Sequence, residues 1–142
     1  MPFVSITRLR VRSWRYLPGF FLQTFRSGNQ AKSARGNLAV TILREVKRTF
    51  WTRTVWNSEQ DMKAYMIAGA HGKAMRRLLA WCDEAALAHW TQESAEPPSW
   101  EEAHRRLQQS GRASKVNHPS EDQRVFRVPP PVVKKSGEAR LK

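Results

Sequence analysis

His71 is the side chain of this 142-residue sequence whose type and spacing best suit chemistry. With Met75, Leu78 and Cys82 it recurs at i, i+4, i+7 and i+11, one stripe of an α-helix. An imidazole at the head of an apolar stripe, facing a cavity, can act as a general base or an iron ligand, because its ordinary pKa lies at about 6.5. A histidine that caps the helix, or bonds a neighbouring carbonyl, explains the same position without chemistry. Tyr65, Trp51, Trp56 and Met75 are the candidate substrate-binding residues, since such side chains line sites for planar apolar ligands. Trp51 and Trp56 serve equally well as core or subunit interface. His89 sits in an alternating run and reads as a cross-strand structural residue.

Other chemistries find no pattern. The single cysteine, Cys82, excludes an intrachain disulfide and a cysteine-rich metal site, and its place on an apolar stripe suits a buried, inert thiol. Paired histidines, H-x-x-E and carboxylate clusters at metal-ligand spacing do not occur, so no metal is expected. Gly69-Ala70-His71-Gly72 fits neither the dinucleotide nor the Walker phosphate-loop pattern.

The elements that must position these residues follow from periodicity. Phe3 to Arg12 alternates as a strand, with Phe3, Ser5, Thr7, Leu9 and Val11 on one face, and Val4, Ile6, Arg8, Arg10 and Arg12 on the other. The basic half of that second face suggests a strand emerging into solvent or edging a cavity. Tyr16 to Ala34 is helical, with Pro18 tolerated in the first turn and Gly36-Asn37 as the stop. Leu38–Arg44 and Phe50–Trp56 form an antiparallel hairpin, and Ser58 with Asp61 opens a helix by a capping-box-like pattern. That helix changes the phase of its apolar stripe, which places a break near Gly69–Gly72. Ala86 to Thr91 is the fourth strand. Beyond it, Glu96-Pro97-Pro98 is a linker, Ser99 caps a short helix to Gln109, and residues 112–142 are too poor in core-forming residues to order themselves.

The expected fold class is α+β: a ferredoxin-like βαββαβ domain over residues 1–92, a linker and short helix over 93–111, and a basic flexible tail over 112–142. Its antiparallel sheet carries helices on one face, and a second copy would cover the other. The formal net charge is +13, with no acidic residue before Glu45. Basic charge permits contact with an anionic surface, of an affinity that falls steeply with salt. A solvated face is the simpler account of Arg8, Arg10, Arg12, Arg15, Arg76 and Arg77. The aromatic pattern of RNA-binding sheets is absent, so no nucleic-acid partner is expected. No stretch is long and apolar enough to span a bilayer, and neither a secretory nor a transit signal stands out, so a cytoplasmic location is expected.

The order of strands, the block VWNSEQDMKAYMIAGAHGKAM and the N-terminal FVSITRLRVRSWRYLPGF together resemble the dimeric α+β-barrel superfamily, among its antibiotic-biosynthesis-monooxygenase-like members and an uncharacterised bacterial branch. The RLRVRSWRYLPGF region is more loosely similar to spheroidene-monooxygenase-like proteins. The resemblance covers roughly residues 3–92 and implies a homodimer with a ligand cavity between each sheet and its helices. Some such relatives oxygenate polycyclic aromatic substrates without metal or flavin, and others bind and degrade haem. The haem-degrading branch carries an Asn, a Trp and a ligating His at positions that fall here on Thr7, Tyr65 and Met75, none of which matches. The cofactor is thus open between none and haem. The functional expectation is a monooxygenase-like protein acting on an apolar aromatic or polyene small molecule, with His71 as the catalytic group. The alternative is a non-catalytic dimeric ligand-binding or stress-response module.

Overall fold

The computed structural model describes residues 1–46, 48–68, 76–77 and 79–142. Four long strands form the centre of one antiparallel sheet: β1 (Phe3–Val11), β2 (Asn37–Glu45), β3 (Thr49–Trp56) and β4 (Cys82–Thr91). β1 lies in the middle, with Phe3 opposite Trp56 on β3 and Thr91 on β4. Helices α1 (Leu17–Ser33) and α2 (Glu59–Met66) cover one face, which yields the expected ferredoxin-like α+β arrangement. The caps form as their sequences dictate. Ser58 Oγ accepts a hydrogen bond from the Asp61 N–H at 3.2 Å, and Ser99 Oγ accepts one from the Glu102 N–H at 3.1 Å. Gly36 ends the α1 connection in the left-handed region at φ 82°, and a Cβ there would collide with the Asp61 carboxylate. The proposed break at Gly69–Gly72 lies outside the described residues.

β4 begins at Cys82, four residues before the expected start at Ala86. Asp83 and Glu84 read as a polar lead-in, yet both join the strand because arginines from β1 neutralise them. Arg8 donates to Glu84 at 2.7 Å, both side chains being buried, and Arg10 makes a two-point contact with Asp83 at 3.0 and 2.7 Å. The basic half of β1 therefore does not emerge into solvent at these two positions. A shift of register between Arg10 and Val11 accommodates the end of the ladder.

The second sheet face is covered from within the chain. Helix α3 (Trp100–Ser110) lays Trp100, Ala103 and Leu107 on Val4, Ile6, Ala39, Leu43, Trp51, Val55, Ala86 and Ala88. A second copy is not needed there. Residues 112–142 also depart from the expected flexible tail. They form β5 (Arg112–Ala113) beside β4, helix α4 (Glu121–Val125) and β6 (Glu138–Arg140) beside β2, giving the sheet order β5-β4-β1-β3-β2-β6. Few apolar side chains suffice because they are well placed: Val116 and Val128 are buried, and Leu141 packs against α1 at Gly28. Polar bonds supply the rest. Gln123 bridges the backbone of Ala85 and Ser114, Gln108 holds both Phe126 and Val128, and the Leu141 N–H returns to Val40 O at 2.8 Å.

A candidate ligand cavity between sheet and helices

A cavity of about 230 Å³ opens between the sheet and helices α1 and α2. Two apolar clusters bound it. One gathers Val11, Leu17, Phe20, Phe50, Cys82 and Val116, and the other Phe3, Ala31, Val40, Trp56 and Met62. Between them the floor turns polar, because the alternating positions of the two central strands carry hydroxyls. Ser5 pairs with Thr54 and Thr7 with Thr52 across the β1–β3 ladder, which sets four hydroxyl side chains side by side. The β4 edge adds Leu87 and His89, and Ser114, Lys115 and Val116 close that side.

Several of these polar groups are held in place. Trp56 is fully buried on the same face as the floor hydroxyls, and its indole N–H donates to Thr54 Oγ1 at 2.9 Å. Tyr65 stacks near Trp56, with ring centres 5.1 Å apart, and donates its hydroxyl to the Ser27 carbonyl at 3.0 Å. Burial raises the Tyr65 phenol far above its ordinary value, so it stays protonated. Ser27 Oγ is buried on the cavity wall and has no hydrogen-bond partner among the described residues. A buried hydroxyl without a partner costs free energy, which a ligand oxygen or water would recover. The His89 ring lies 5.5 Å from that of Phe3 and makes no hydrogen bond among the described residues. Burial, followed by the charge of Arg112, pushes its pKa down, so the imidazole is neutral at pH 7 and free to accept a proton.

Tyr65 lines the cavity, and Trp56, which is not part of the lining, packs beside it at the end of the floor. Trp51 belongs to the other face. Its side chain follows the odd-numbered positions of β3, donates to Glu45 at 2.6 Å, and packs edge-on against Trp100, so it is core rather than lining. His71 and Met75 lie outside the described residues. The floor hydroxyls, Ser27 and residues 114–116 are not singled out by the sequence, and His89, which reads there as a cross-strand structural residue, also lines the cavity. The hydroxyl pairs had a visible signal, Ser and Thr at alternate positions of two adjacent strands. Residues 114–116 had none.

Chemically, the described lining offers a mostly apolar body, hydroxyls to fix one or two ligand oxygens, and the neutral imidazole of His89. No carboxylate lines it among the described residues. Groups of three or more metal-ligating side chains are likewise absent among the described residues. The haem-degrading arrangement does not fit the donors described: Thr7 presents a hydroxyl, and the phenol of Tyr65 is hydrogen-bonded and kept protonated by burial, which opposes tyrosinate ligation.

A family model described as a domain of unknown function, DUF3291, matches residues 10–120. No curated protein sequence matches. Solved structures do. A candidate antibiotic biosynthesis monooxygenase from Nitrosomonas europaea superposes with a TM-score of 0.58 at 16% identity, over 65% of this chain and 90% of that one. A variant of SnoaB, a cofactor-independent oxygenase from Streptomyces nogalater, gives 0.53 at 15% identity, over 66% and 94%. A conserved protein from Methanosarcina mazei Go1 gives 0.59 at 9% identity, over 66% and 94%. At such identities the likeness establishes the fold, which is that of antibiotic-biosynthesis-monooxygenase-like structures. No helix among the described residues is long and apolar enough to cross a membrane.

Proposed function

The chain belongs to the DUF3291 family, and from that footing we propose that it is a monooxygenase-like protein that binds an apolar aromatic or polyene small molecule in the cavity between sheet and helices. The observation that carries the proposal is the composition of the cavity: apolar walls over a floor of four paired hydroxyls, with a Ser27 Oγ that has no partner among the described residues and a neutral His89 at its margins. Such a site orients a largely hydrocarbon ligand by one or two oxygens. His89, or His71 from the sequence, is the base that would take a proton from a ligand hydroxyl, which raises the electron density of the ring or polyene toward oxygen. The solved neighbour named as a cofactor-independent oxygenase supports this direction. The homodimer implied by the family resemblance is not carried into the proposal, because α3 takes the sheet face that a second copy would cover.

The test begins with native mass spectrometry and an absorption spectrum of the purified protein. These are followed by oxygen uptake with hydroxylated polycyclic aromatics as probes, with and without added haem. Ligand-dependent uptake that falls at least tenfold in His89→Ala or His71→Ala supports the reading. Tight binding with no uptake in any condition moves the protein to the non-catalytic ligand-binding class. Failure to bind any aromatic or polyene probe removes the proposal.

A further inference from the structure

Some of the described cations are ion-paired and many are not. Arg8, Arg10, Arg53, Arg105, Arg106 and Arg127 each meet a carboxylate. At one end of the sheet, by contrast, Arg12, Arg15, Arg44, Arg48 and Lys134 have no carboxylate within ion-pair distance among the described residues. The four arginines among them lie over rings instead. Arg12 and Arg15 lie over the Tyr16 ring at 4.8 and 4.9 Å and both donate to its oxygen, while Arg48 lies over Trp14 at 5.5 Å.

Apolar side chains project between these charges. Trp14 is 66% exposed, Val46 60% and Val132 52%, and all three line one groove with Arg44, Arg48 and Lys134. The carboxylate in that groove, Glu45, accepts from the Trp51 indole at 2.6 Å and the Val132 N–H at 2.8 Å and pairs with none of the three cations, so the groove lining keeps an excess of positive charge, three cations against one carboxylate. Unpaired cations around an exposed tryptophan and two aliphatic side chains are the composition of an interfacial membrane seat.

We propose that this end of the molecule docks on an anionic bilayer surface, with Trp14, Val46 and Val132 at the level of the lipid headgroups and Arg44, Arg48 and Lys134 against their phosphates. A single-stranded nucleic acid matches less well. It needs open ring faces for its bases, whereas Tyr16 already faces two guanidinium groups and Trp81, 6.4 Å away. The exposed valines offer a base nothing to stack on. The inference is independent of the cavity's activity.

The test is co-sedimentation of the full chain with phosphatidylcholine vesicles, with and without phosphatidylglycerol, at low and high salt. Binding should require phosphatidylglycerol and weaken with salt. Each of Arg44→Gln and Lys134→Gln should cost roughly fivefold in affinity. Trp14→Ser should remove the part that survives high salt, where charge is screened. Arg105→Gln, at an ion-paired cation on α3, should leave binding unchanged. These positions are exposed, and circular dichroism of each variant should match that of the unsubstituted protein, so that a change in vesicle binding is read on a folded chain. Equal binding with and without phosphatidylglycerol, no vesicle binding at all, or capture of a single-stranded oligonucleotide in preference to vesicles would each overturn the proposal.

Discussion

The buried Arg8–Glu84 pair shows how one residue can dominate local energetics. Burial alone would raise the Glu84 carboxyl, but the hydroxyl of Ser120 and the guanidinium groups of Arg8 and Arg10 outweigh it and hold it below the ordinary carboxylate value. The folded state therefore binds this proton less readily than the unfolded state. The pair's stabilisation is full above the ordinary value of about 4.5 and is lost as pH falls through the folded value. Glu84→Gln should leave Arg8 unpaired and cost about 3–5 kcal/mol in urea denaturation at pH 7, with a flatter loss of stability in acid. His89 has the same sign for a different reason. Its depressed pKa favours the neutral ring in the fold, so stability declines as pH falls below about 6.5, and its NMR titration midpoint should lie below that value. Ser27→Ala makes the opposite kind of test. The hydroxyl has no partner to lose among the described residues, so chemical denaturation should show unchanged or slightly raised stability, about 0–1 kcal/mol, while ligand affinity falls.

Among elements, helix α3 supports the covered sheet face. Leu107 is fully buried there, and Leu107→Ala should destabilise the chain by about 2–5 kcal/mol in urea denaturation. The elements were legible where a local rule governs. Alternation marked the strands and their faces, and Ser58 and Ser99 announced helix starts that the structure realises. Legibility failed where distant partners decide. Asp83 and Glu84 look like loop residues until β1 brings arginines across from them. Ser120 followed by Gln123 is a third cap signal, and Ser120 Oγ does accept from the Gln123 N–H at 3.1 Å. It went unread because composition made its neighbourhood look unable to pack. The cavity was half legible: Tyr65 and the floor hydroxyls lie in the readable strands and helix, whereas residues 114–116 reach it only through the β4 edge.

At the scale of the molecule, the last third of the chain closes what the first two thirds leave open. α3 covers the sheet face, β5 closes one edge and β6 the other. Two- and three-residue strands at the edges also limit pairing with other chains. Light scattering should therefore find a monomer at micromolar concentration. A dimer that resists dilution would mean that α3 has exchanged between copies. These closures carry a timetable as well, because Ile42 pairs with Ala139 and must wait for residues made almost a hundred positions later. At about 5–20 residues per second, synthesis of the segment after α3 takes on the order of seconds. Throughout that interval the nascent sheet has bare borders in a crowded cell. The tail thus bears on the safety of the unfinished protein as well as on the stability of the finished one, and chains ended early by nonsense mutation should accumulate as aggregates rather than as shortened soluble protein.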